Sequence, residues 1–64
     1  MPEEIRNFKE GLDRLLKMEE MAVRNYQQVA EMAPTPWLAW KLDMIRRQQL
    51  QDAWTLSLMR RVVD

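Results

Sequence analysis

Ala33-Pro34-Thr35-Pro36 divides the 64-residue chain into two segments of helical character, and its reading decides the fold. Pro34 disfavours helical geometry at Ala33, Thr35 supplies a side-chain oxygen suited to capping a helix, and Pro36 fits a first helical position, where its missing N–H has no intrahelical partner anyway. Working outward from the break, apolar residues recur in both directions at alternating spacings of three and four. Upstream run Ile5, Phe8, Leu12, Leu15, Glu19, Ala22, Tyr26, Val29 and Ala33; downstream run Leu38, Leu42, Ile45, Gln49, Asp52, Leu56, Met59 and Val63. That spacing holds one helix face toward a neighbour, so the chain reads as all-α.

Pro2 followed by Glu3 and Glu4 suits a helix start, because the carboxylates oppose the positive end of the helix dipole. The expected organisation is one domain over residues 1–64, with helix one over about 3–33, a turn at 34–36 and helix two over about 36–63. A link this short implies an antiparallel two-helix hairpin. Acid-before-base pairs four residues apart, namely Glu10 with Arg14, Asp13 with Lys17, Glu20 with Arg24 and Asp43 with Arg47, mark the outer faces. Gly11 sits inside helix one at a cost of about 1 kcal/mol relative to alanine, which fits either a close helix crossing or a simple weak spot.

Composition narrows what holds such a hairpin together. There is no Cys to cross-link it, and no His, the commonest transition-metal ligand. Hydrophobic residues make up 47% of the chain while mean hydropathy is −0.54, the combination expected of strongly two-faced helices. Leu16, Val23 and Ala30 beside the first stripe, and Leu50, Trp54 and Leu58 beside the second, broaden both beyond what one neighbour covers. Homodimerisation into a four-helix bundle is therefore expected. Trp37, Trp40 and Met44 near the turn fit either bundle contacts or a surface for another protein partner. Ten basic and ten acidic residues are mixed along the chain, so no nucleic-acid or membrane partner is expected. No segment reads as a membrane span or a signal peptide, which makes a cytoplasmic location the expectation.

The exceptions to the apolar stripes are Glu19, Gln49 and Asp52. Glu19 lies 14 residues before Ala33 and Gln49 lies 13 after Pro36, so in a hairpin all three reach a similar depth, roughly 20 Å from the turn. Glu19 has Leu15, Leu16, Ala22 and Val23 as its helix neighbours and so points inward. The pattern Glu19-x-x-Ala22-x-x-x-Tyr26-x-x-x-Ala30 resembles the opening metal-site helix of the ferritin-like, rubrerythrin-type family, and Gln48-Gln49-Leu50-Gln51-Asp52 falls where that family carries Glu-Glu-x-x-His. The resemblance implies half of a ferritin-like four-helix bundle that dimerises to complete itself. It matches Glu19 to the first-helix ligand, Gln49 to the second-helix Glu, Asp52 to the His and Tyr26 to the tyrosine beside the site.

Two of those three ligand positions depart from the family pattern, Gln49 offering a neutral carbonyl and Asp52 a short, hard carboxylate. The resemblance therefore implies a decayed di-iron site and no cofactor. One alternative is an oxygen-ligand site for a divalent cation such as Mg²⁺, Ca²⁺ or Mn²⁺, built from Glu19 and Asp52 with Gln49. Others are a polar layer that sets register without any metal, or a seam facing a different protein. Ser57 and the threonines have no His or Cys partner, and no Gly-rich loop is present to cradle phosphate, so an enzyme is not expected.

Overall fold

The computed structural model describes residues 2–64, and over that range the chain forms two helices and no strand: α1, Glu3–Glu31, and α2, Pro36–Val62. Helix α1 starts where expected, with Pro2 in extended geometry before it, its carbonyl accepting from the Arg6 amide at 3.1 Å, and Glu3 and Glu4 in the first turn. It ends two residues earlier than the sequence suggested. Met32 N–H bonds the Val29 carbonyl and Ala33 N–H bonds the Ala30 carbonyl, both at 3.1 Å, so the final turn tightens to three-residue spacing before Pro34. The connection is therefore Met32 to Thr35, not residues 34–36. At its far side Thr35 caps α2 as expected, its hydroxyl oxygen accepting from the Leu38 amide at 3.2 Å with Pro36 in the first turn.

The helices lie side by side, and contacts between them run in opposite chain order. Asp13 meets Arg60, Lys9 meets Asp64, and Val29 borders Leu42. On α1 the main buried or half-buried line passes through Lys9, Leu12, Leu16, Glu19, Val23, Tyr26 and Ala30 and reaches Ala33 beyond its end, with Gly11 and Ala22 half-buried beside it. On α2 it passes through Ala39, Leu42, Arg46, Gln49, Ala53, Leu56, Arg60 and Val63. Both lines are strict alternations of three and four, the geometry of a coiled-coil-like seam.

This seam corrects the expected one. Leu12, Glu19, Tyr26 and Ala33, with Leu42, Gln49, Leu56 and Val63, belong to both. Leu16, Val23 and Ala30, expected to widen the stripe, lie in the contact instead, whereas Ile5, Phe8, Leu15, Val29, Leu38, Ile45, Asp52 and Met59 are exposed. The physical reason is width. On α1 three adjacent rows at heptad spacing are largely apolar, and a single neighbour covers only two of them. On α2 the row taken beside Leu42, Gln49 and Leu56 is the small and basic Ala39, Arg46, Ala53 and Arg60. The contact takes the rows that bring Arg60 onto Asp13 and Lys9 onto Asp64.

The result is an elongated pair with a Cα outline of 51 × 14 × 10 Å and a radius of gyration of 15.1 Å, against about 11 Å for a compact domain of this length. Among the described residues only Leu12 is buried, at 4% exposure. A further correction concerns Gly11: a Cβ there would meet nothing within 4 Å, so α2 makes no close crossing at that point. No helix among the described residues is long and apolar enough to cross a membrane.

Candidate functional site

Glu19 and Gln49 come together as the depth count predicts. Both are half-buried on the rows shared by the two helices. With its amide turned so that the nitrogen faces α1, Gln49 donates to Glu19 Oε1 at 3.3 Å and to Oε2. A neutral amide donating to a carboxylate is a charge-assisted bond across the seam, and it occupies at most two of the carboxylate's roughly four acceptor positions. The bond favours this register over the one-turn slide that sets Ala53 against Glu19 and leaves the half-buried carboxylate unpartnered, whereas the opposite slide brings Arg46 there.

Asp52 does not join them. It is exposed, and its Oδ1 accepts from Gln48 Nε2 at 3.4 Å, one turn back on its own helix. Helical phase explains the separation, since Asp52 shares its row with Leu38, Ile45 and Met59, the row that α1 leaves uncovered. Among the described residues no group of three or more His, Cys, Asp or Glu side chains gathers closely enough to hold a metal ion. Tyr26 lies seven residues after Glu19 on the same row, half-buried, and lines a shallow depression with Ala22, Asn25, Val29 and Leu42.

The ion pairs gather on one side of the pair. Arg46 Nε donates to Asp43 Oδ1 at 2.8 Å and Arg47 Nε lies 2.9 Å from Oδ2, holding the Asp43 carboxyl below its ordinary pKa, the Arg46 hydrogen bond contributing most. Arg60 Nε donates to Asp13 Oδ1 at 2.9 Å and the same guanidinium bonds Asp64, which also lies 3.3 Å from Lys9 Nζ. Arg60, then Lys9, lowers the Asp64 pKa; Asp64, then Asp13, raises that of Arg60. Asp13 thus engages α2 and not Lys17, its expected partner. By helical phase these pairs occupy the side of the seam that also carries Glu20 and Gln27.

The opposite side is apolar. The α1 row Phe8, Leu15, Ala22, Val29 and the α2 row Leu38, Ile45, Asp52, Met59 border the same open face, with Phe8 52% and Ile45 41% exposed. Two shallow depressions follow this side of α1, the first around Phe8, Gly11, Leu15 and Met18, the second at Tyr26. A second feature that spacing alone left unread is Lys41. Its ammonium sits 5.4 Å from the Trp37 ring centre and 4.9 Å from that of Trp40, the one-turn offset from Trp37 being the available signal. Comparison with protein-family models, curated proteins and solved structures gave no match.

Proposed function

We propose that this protein is a non-enzymatic structural or interaction module, a helical hairpin that homodimerises through its open face into a four-helix bundle. The observation that carries this reading is that, among the described residues, Leu12 alone is buried while Phe8, Leu15 and Val29 on α1 and Leu38, Ile45 and Met59 on α2, a row interrupted by Asp52, stay exposed. Two helices alone give most of their apolar rows no cover. The 51 × 14 Å outline offers a footprint of about 700 Å² per copy, close to the ~800 Å² per partner that stable interfaces bury. Gln49 is the central residue of α2, and Glu19 lies two past the centre of α1. A copy turned end for end therefore brings its own Glu19–Gln49 layer to the same depth. In this reading the layer sets register, and the resemblance to ferritin-like half-domains makes it the residue of a decayed metal site.

The alternative, a divalent cation shared by Glu19 and Asp52 with Gln49 in the dimer, needs Asp52 of one copy to reach the layer of the other. Sedimentation equilibrium tests the main reading: wild type is expected to be a dimer at micromolar concentration. Ile45→Glu, on the open face, should give a monomer, and Arg24→Glu, on the polar outer side of α1, should not. A cooperatively folded wild-type monomer would overturn it.

A further inference from the structure

Helix α2 keeps a second apolar surface that a second copy on the open face does not reach. Trp37, Trp40, Met44, Trp54 and Leu58 fall on the two rows facing away from α1, with Trp54 65% exposed. The corresponding side of α1 is hydrophilic, carrying Glu10, Arg14, Lys17, Arg24 and Glu31. Exposed aromatic surface of this extent, running ~32 Å from Trp37 to Leu58 at the helical rise, marks an interaction site more than a solvated face.

The charge of that surface says what suits it. Lys41, Arg47 and Arg61 stand among or beside the tryptophans, and no carboxylate shares their rows. Asp43, on the adjacent row, is taken by Arg46 and Arg47. Helix α2 as a whole carries five basic side chains against two acidic ones, whereas α1 carries seven acidic against five basic. The same face of a second copy would gather three more cations without neutralising any, and the outer side of α1 has too little apolar surface to cover indole rings. An occupant must supply apolar side chains along about six helical turns, flanked by negative charge.

We propose that the outward face of α2 is a docking surface for an acidic amphipathic helix of another protein. This stands whether or not the open face dimerises, because the two faces use different rows of α2. All three tryptophans of the chain lie on this face, so their emission reports its occupancy directly.

The test titrates the full chain with two synthetic 21-residue helical peptides lacking Trp. They share one leucine seam, flanked by Glu in one and by Lys in the other. The Glu peptide is expected to shift Trp emission to the blue, to bind at least tenfold more tightly than the Lys peptide, and to weaken as salt is raised. Arg47→Glu/Arg61→Glu should reverse the preference. Circular dichroism checks helicity, and Arg61→Glu alone, which breaks no ion pair seen in the structure, should weaken the Glu peptide severalfold if the double variant unfolds. No shift with the Glu peptide, or equal binding of both peptides, overturns the proposal. A shift only with phosphatidylglycerol vesicles assigns the face to a lipid surface and overturns it equally.

Discussion

Truncating Leu12 and Leu15 separately to alanine measures whether the open face is covered in solution. Leu12 is 4% exposed and Leu15 47% exposed, on adjacent rows one turn apart. Leu→Ala at a buried site costs 2–5 kcal/mol; because Leu12 borders a shallow depression and its surroundings can relax, about 2.5 kcal/mol is expected there. In an isolated pair Leu15 loses only half of its transfer free energy and leaves no cavity, so its truncation should cost about 1 kcal/mol. If a second copy covers the face, Leu15 becomes an inner residue and its cost rises to about that of Leu12. The assay is urea denaturation followed by far-ultraviolet circular dichroism at two protein concentrations a hundredfold apart. A dimer also raises the wild-type midpoint with concentration. A Leu15→Ala cost near 1 kcal/mol with a concentration-independent midpoint would refute the argument from incomplete burial.

Gly11→Ala should stabilise the chain by up to ~1 kcal/mol in thermal unfolding, since a Cβ meets nothing within 4 Å; destabilisation of the dimer instead would locate a close approach by the second copy at Gly11. Replacing both partners together, Glu19→Leu/Gln49→Leu, should be neutral or mildly stabilising if the layer only sets register, with the wild-type melting temperature indifferent to chelator. A chelator-sensitive wild type restored by Mn²⁺, Ca²⁺ or Mg²⁺, with a destabilised variant, would establish the cation reading instead. Arg60 and Lys9 hold the folded-state pKa of Asp64 below its unfolded value, so the stability it supplies is present at neutral pH. That contribution is lost as pH falls from the ordinary aspartate pKa of about 3.9 through the lower folded value. Asp64→Asn should therefore flatten part of the acid limb of the stability profile while leaving its slope above pH 6 unchanged.

Local chemistry made the fold legible where single residues decide it. Thr35 and Pro36 announce the start of α2, and Glu3 and Glu4 the start of α1. Pro34 fixes the end of α1 only to within a turn, because the tightening at Met32 and Ala33 depends on how the last carbonyls are satisfied. The meeting of Glu19 and Gln49 was legible because depth from the turn depends on counting alone. Asp52 was not, because three residues along a helix stays within one broad stripe while crossing from a covered row to an open one. The same ambiguity exchanged Leu15 and Val29 for Leu16 and Ala30 in the contact. On α1 a hydrophobic period shows that three rows are apolar and does not say which two a single neighbour takes, and on α2 the row with Arg46 and Arg60 carries little apolar signal; cross-helix ion pairs at Asp13, Arg60 and Asp64 accompany the outcome.

The two helices place different demands on an assembly. Helix α1 is two-faced, with charged residues along its outer side, and can remain at a surface. Helix α2 has apolar side chains around most of its circumference: Leu42 and Leu56 toward α1, Ile45 and Met59 on the open face, Trp40 and Trp54 outward. A helix of that kind belongs in an interior, yet α1 covers only one of its three sides. One further neighbour on the open face leaves the tryptophans in water, and a neighbour on the outward face alone leaves Phe8, Leu15 and Ile45 there. Both surfaces must be met before α2 is enclosed, and they differ in charge, the open face holding Asp52 among apolar residues and the outward face holding only cations. A self-complementary contact suits the first and an acidic partner the second, so self-association and partner binding can occur on the same helix without competing for it.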